Sequence, residues 1–181
     1  QVGFFYSTSW NDLGASANSV RLNFRARPGS RWQFTVAPSW RESNNARQYI
    51  GVYPGGTPAT YDERYVFSWV KQTTLSMQLR LNYSFTPGLT LEAYAEPFAS
   101  SGNFSQYGEL AAAETTTLRE YGTDNTTISQ DPSGNYVVTD GNNGQTFTLP
   151  NNNFNVLSYR SNVVLRWEWR PGSALFFIWQ Q

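Results

Sequence analysis

The chain has 181 residues, 13 basic against 13 acidic, with no histidine and no cysteine. Balanced charge leaves no electrostatic footprint for nucleic acid. Without cysteine there is no disulfide framework, zinc finger or thiol nucleophile, and without histidine the commonest general base and transition-metal ligand are gone.

Only Lys71 among the basic residues is a lysine, and arginine suits fixed ion pairs inside a protein better than a solvated surface. Mean hydropathy is −0.52, and no run of about 18 apolar residues is present, which excludes a transmembrane helix. A transmembrane β-barrel escapes that test, because only every second strand residue faces lipid. Aromatic residues make up 17% of the chain, seven of them Trp. That suits barrel girdles, and it also suits the core of a soluble β-sandwich.

Residues 2–10 alternate, with Val2, Phe4, Tyr6 and Trp10 on one parity. Period two of this kind reads as a strand. Asn11–Ala17 is a turn, and 18–27 alternates again, Val20, Leu22, Phe24 and Ala26 against Arg21, Asn23, Arg25 and Arg27. After Pro28-Gly29 the pattern resumes through Trp32, Phe34, Val36, Pro38 and Trp40. A proline there marks an edge or a bulge. Residues 42–64 read as a loop rich in Asn, Gly and Pro. A long alternation follows over 65–85, then Pro87-Gly88, then a strand over 89–99.

Residues 100–160 read as a large insert. It holds a short helix around Glu109–Glu114 and a hairpin of Thr126–Gln130 with Tyr136–Thr139 about Asp131-Pro132-Ser133-Gly134, with a further turn at Asp140–Gly144. Strands over 161–170 and 174–181 flank Pro171-Gly172. Gln1 enters almost directly into a strand, which suggests a piece of a longer protein.

Three Pro-Gly turns at 28–30, 87–88 and 171–173 thus alternate with long polar loops. Short turns at one end and long loops at the other are the plan of an outer-membrane barrel. The expected fold is all-β, an up-and-down antiparallel transmembrane β-barrel to which residues 1–181 supply about seven strands as part of one domain. The Pro-Gly turns are then periplasmic, and the loops 42–64 and 100–160 extracellular.

The charged residues expected to face a hydrated, ion-paired lumen are Arg21, Arg25, Arg27, Arg31, Arg80, Glu92, Glu96, Arg166, Glu168 and Arg170. One aromatic girdle is expected from Trp32, Tyr83, Phe85, Trp167 and Trp169 beside the turns. A second is expected from Trp10, Trp40, Trp69 and Trp179, about eight residues away. Eight residues rise about 26 Å, or about 20 Å when tilted, against an apolar band of about 25 Å. Barrel strand counts are usually even, so a descending strand is expected after Gln181.

The segments Ser161–Gln181, Gln72–Pro87, Glu96–Gly102 and Tyr121–Asp124 resemble the C-terminal part of a poorly characterised family of large bacterial outer-membrane proteins. In that family a domain similar to family 9 carbohydrate-binding modules precedes a C-terminal β-barrel. The resemblance covers most of residues 62–181 and is specific in two Pro-Gly hairpins, and residues 1–61 match only in style. It implies further chain beyond Gln181 and names no catalytic residue.

Catalytic constellations are missing from the sequence. Glu92 and Glu96 lie about 13 Å apart along a strand, beyond the roughly 5–9.5 Å of glycosidase pairs, so structural pairing with arginine is expected. Arg21, Arg25, Arg27 and Arg31 also fit an anion-attracting ring in a pore. Asp140–Gly144 and Asp124-Asn125 lack the distal bidentate Glu of a calcium loop and read as turns. Tyr49, Tyr53, Tyr61 and Tyr107 are loop aromatics able to stack on sugars.

The expected function is a pore, or a membrane anchor for carbohydrate-related surface or periplasmic domains. It is not an enzyme and carries no cofactor or metal. Its setting is a bacterial outer membrane. Expected partners are the lipid bilayer and lipopolysaccharide, further strands of the same barrel or neighbouring chains, and polysaccharide, but no nucleic acid. The competing reading is a soluble β-sandwich binding module for polysaccharide.

Overall fold

The computed structural model describes residues 1–181 and is all-β, with no α-helix. Eleven strands form: β1 Val2–Trp10, β2 Ser16–Ala26, β3 Trp32–Pro54, β4 Glu63–Thr86, β5 Leu89–Leu110, β6 Leu118–Glu120, β7 Thr126–Gln130, β8 Tyr136–Asp140, β9 Gln145–Leu149, β10 Phe154–Arg170 and β11 Ser173–Gln180. The large sheet runs β1-β2-β3-β4-β5-β10-β11, with β6 added to the end of β5, and β7-β8-β9 form a small second sheet. Every pairing is antiparallel. The meander does not close on itself, and β1 and β11 remain edges.

The three Pro-Gly turns join β2 to β3, β4 to β5 and β10 to β11, so they share one end of the sheet. The long connections share the other. Two expected loops are shorter than their composition suggested. β3 continues to Pro54, and β5 continues to Leu110 while β10 starts at Phe154. Asn, Gly and Ser are tolerated there because the long strands pair with each other over their full length. The expected helix at Glu109–Glu114 is absent: Glu109 and Leu110 finish β5, and a turn follows. Cross-strand pairing outweighs the local helix preference of a Glu-Leu-Ala-Ala run. The hairpin about Asp131 forms as β7-β8, its turn held by Asp131 Oδ1 accepting from the Ser133 and Asn135 amides.

Pro38 is neither at an edge nor at a bulge, because β3 is flanked by β2 and β4. Pairing to β2 lapses between Arg21↔Ser39 and Phe24↔Val36 and resumes in the same register. Pro97 does the same on β5, where pairing to β4 lapses between Ser76↔Phe98 and Leu79↔Ala95. Each proline lacks the N–H one ladder needs, while its other ladder stays intact.

Register lines the side chains into rows across the sheet. Leu22, Pro38, Met77, Pro97 and Tyr159 make one row, and Val20, Trp40, Leu75, Ala99 and Leu157 the next. This apolar face is bare. The only hydrophobic cluster of the chain is elsewhere: Val66, Tyr107, Tyr121, Val138 and Leu149 are buried beneath the small sheet at the long-loop end. There the even positions of β4 (Arg64, Val66, Ser68, Val70) are buried, the parity that carries Gln78 and Arg80 lower down. The small sheet therefore caps the polar face of the large one.

At Gly108 the backbone of β6 lies close against β5. A Cβ there would lie 2.6 Å from the Arg119 carbonyl oxygen, a backbone atom with little room to yield. Gly108→Ala is expected to destabilise the cap by about 1–3 kcal/mol. Urea unfolding followed by tyrosine near-UV circular dichroism should show the cap melting earlier while strand content is retained.

Candidate functional site: a polar sheet face beneath a stapled cap

Arginines on alternate positions of β2, β4 and β10 place a cationic, amide-rich surface on the face opposite the apolar rows. Arg25, Thr35, Arg80, Tyr94 and Asn162 form one row. Around it Asn23, Gln33, Gln78, Asn82 and Glu92 line a trough of about 520 Å³. The Arg80 guanidinium lies over the Tyr94 ring at 5.2 Å, a contact that orients the cation without neutralising it. The Tyr94 hydroxyl donates to Glu96 at 2.6 Å.

The residues expected to line a lumen meet different fates. Arg21, Arg25, Arg80, Glu92, Glu96 and Arg166 share the polar face. Arg27 donates to Gln33 at 2.7 and 3.1 Å and, with Arg31, borders a shallow site by the first Pro-Gly turn. Arg166 pairs with Glu168 on its own strand, and Arg170 is exposed at the end of β10. Below the cap, Arg166–Glu168 is the sole ion pair on this face, and Glu96 accepts from Tyr94 and Gln78.

The aromatic positions divide as well. Trp32 and Tyr83 touch at 4.1 Å between ring centroids, Tyr83 and Phe85 at 4.5 Å, and Trp167 and Trp169 at 6.2 Å. These surround the Pro-Gly end. The second set does not share one level. Trp40 sits in the Leu75 row, Trp10 lies opposite Ser16 in the Lys71 row, and Trp69 stands higher, against Gly14 and Ala46. Trp179 lies in the row of Val163, Ala93 and Leu81, next to the Trp32 row and so near the Pro-Gly end. Counting residues along one strand cannot show this, because the offset between strands fixes the level.

Sequence reading missed a second constellation. Arg64 on β4, Glu109 on β5, Arg119 on β6 and Asp140 at the end of β8 form a closed charge square. Arg64 donates to both Glu109 oxygens (3.1 and 2.8 Å) and to Asp140 Oδ2 (2.9 Å). Arg119 donates to Glu109 Oε1 (3.0 Å) and to both Asp140 oxygens (3.1 Å each). Tyr121 donates to Glu109 at 3.0 Å, and Arg64 stacks on Phe147. Two positive and two negative charges cancel, and each carboxylate is held by charged hydrogen bonds, the condition under which burial is tolerated.

The guanidinium of Arg119, then that of Arg64, holds the Asp140 carboxyl well below its usual range. Burial pushes the Tyr121 hydroxyl upward, reinforced by Glu109. The four partners are scattered over 76 residues of sequence, so no local pattern announces them. Both sugar-stacking candidates Tyr53 and Tyr107 pack into this cap, whereas Tyr49 and Tyr61 stay exposed.

A protein-family model described as "Domain of unknown function (DUF5916)" matches residues 3–181. No curated protein and no solved structure matches the chain.

The square sets a pH response. The stability contributed by a carboxyl with a depressed folded pKa is complete above its unfolded value, about 3.9, and is lost as pH falls from there toward the folded value. Pepsin cleavage within residues 123–153 is expected to rise steeply below about pH 4. Arg64→Ala leaves two carboxylates facing one guanidinium, so it should cost about 3–5 kcal/mol and expose the same segment to protease at neutral pH.

Proposed function

Because the chain belongs to the DUF5916 family over residues 3–181, a description that names no activity, we propose its function from its two faces: it is a section of an outer-membrane β-barrel whose polar face lines a water-filled path. The observation that carries this is the height and exposure of the apolar face. On β4 the outward positions are apolar from Leu75 through Met77, Leu79, Leu81 and Tyr83 to Phe85. In the two rows above Leu75 the same face turns polar on β3, β4 and β5, with Thr73, Lys71, Glu42, Asn44, Ser101 and Asn103. Ten residues rise about 33 Å, which becomes about 25 Å at a barrel tilt of about 40°. That is the apolar thickness of an outer-membrane barrel. Trp32, Tyr83, Phe85 and Trp167 close the band at the turn end, as an interfacial girdle does.

A soluble sandwich places its apolar face against a second sheet. Here the second sheet sits on the polar face, and Leu22, Phe24, Phe34, Leu75, Phe177 and Trp179 stay exposed. The edges fit the same reading. β1 and β11 carry large apolar residues on both faces: Phe4, Phe5, Tyr6, Phe176, Phe177 and Ile178 are all more than half exposed. Bare edges of this kind are completed by further strands, from the same protein or a neighbouring chain. β1 and β11 run in the same direction, so an antiparallel closure takes an odd number of strands between them.

The full protein is expected to need detergent for extraction and to show a heat-modifiable shift on gels. Monodispersity without detergent overturns the reading. Position matters within one strand: Leu79→Arg should cost about 2–4 kcal/mol in liposomes, as lipid-facing midplane charges do, while Gln78→Arg on the opposite face should be nearly silent. Equal costs in urea unfolding argue against a lipid-facing Leu79. Conductance in planar bilayers separates a pore from a membrane mount.

A further inference from the structure

On the proposed reading the polar face lines a passage, and its chemistry names what passes. Across the height of the apolar band this face carries Arg21, Arg25, Arg41, Arg80, Arg160 and Arg166 against Glu92, Glu96 and Glu168. Arg166 and Glu168 satisfy each other. Of the other five arginines none has a carboxylate within ion-pair distance, an unusual state for a residue type that pairs readily. Glu96 stands opposite Arg160, yet its hydrogen bonds go to Tyr94 and Gln78.

The trough at the middle of the face concentrates this excess. Arg25 and Arg80 share a row and stand two strands apart, so their backbones are about 10 Å from each other. Long side chains from such positions can converge on one solute. Tyr94 holds the Arg80 fork in place, Asn23, Gln33, Gln78 and Asn82 surround the pair with amide groups, and Glu92 is the single carboxylate in the lining against the two guanidinium groups. Guanidinium forks of fixed orientation match the two coplanar oxygens of a carboxylate or phosphate. A ring of cationic side chains in a pore favours anions.

We propose that Arg25 and Arg80 form an oxyanion-binding station that makes the passage anion-selective and suited to solutes carrying carboxylate or phosphate groups. Carboxylate and phosphate share the chemistry that the forks read, and inorganic phosphate is the simplest probe.

The test uses the full protein in planar bilayers under a potassium chloride gradient. The expected reversal potential has the sign of preferential chloride passage, millimolar phosphate reduces the chloride current, and both properties are lost in the R25Q/R80Q double variant. R25K/R80K should keep the chloride preference and lose the phosphate effect, since lysine retains the charge without the fork. It also guards against a merely unfolded variant. Cation preference in the unmodified protein, or a double variant with unchanged selectivity, overturns the proposal.

Absence of any current sinks the pore reading instead. The station is then judged by phosphorus NMR line broadening of inorganic phosphate on detergent-purified protein. Saturable broadening that R25Q/R80Q abolishes supports the station, and broadening that is absent or unaltered overturns it.

Discussion

A common register held across six antiparallel ladders decides which side chains meet in this protein. A slip of one residue in any ladder would turn that strand's apolar set to the opposite side. The rows Leu22–Pro38–Met77–Pro97–Tyr159 and Arg25–Thr35–Arg80–Tyr94–Asn162 exist only because no ladder slips within the band. Pro38 and Pro97 each remove one donor without moving the register, so both are accommodated inside the sheet. The bulges lie above the band, near Asn45–Gly51 on β3 and near Phe67–Trp69 in the β4-β5 pairing, or at its rim beside the Pro-Gly turns.

Above the band, preferences invert without any change of parity. The even positions of β4, polar from Gln72 to Ser84, become the buried floor of the cap at Val66 and Val70. The odd positions stay half-buried at Tyr65, Phe67 and Trp69. One strand therefore serves two environments in turn, changing between Val70 and Gln72, and the charge square lies at the far end of the buried stretch. Arg64, Glu109, Arg119 and Asp140 connect three strands of the wall to the small sheet. A mutually neutralised cluster of this kind sets geometry more than it adds net stability. It removes two arginines and two carboxylates together, so the arginine excess of the polar face below is independent of it.

Glu109 and Asp140 are used in the square, Glu168 on Arg166, and Glu96 on a tyrosine, which leaves Glu92 as the one carboxylate lining the trough with Arg25 and Arg80. A net charge of zero for the chain thus conceals a neutral square, a cationic polar face and an acidic remainder that offsets it. Composition alone pointed away from an anionic partner, the arginine spacing on β2 pointed toward one, and the placement of the acids shows which arginines stay unpaired.

The sequence by itself determined the strands, the meander and the Pro-Gly end, because side chains alternate with period two and Pro-Gly cannot continue a ladder. It also placed Arg21, Arg25 and Arg80 on the polar face and grouped Trp32, Tyr83, Phe85 and Trp167, since each follows from parity and nearness to a turn. It misread the Asn-rich stretch 42–54 and the Glu109–Glu114 run, where long-range pairing overrides local composition. Only the tertiary structure decided the level of Trp179, the union of Arg64 with Asp140, and the pairing choices of Glu96. Those depend on stagger between strands and on contacts across tens of residues, and neither is a property of any window of the chain.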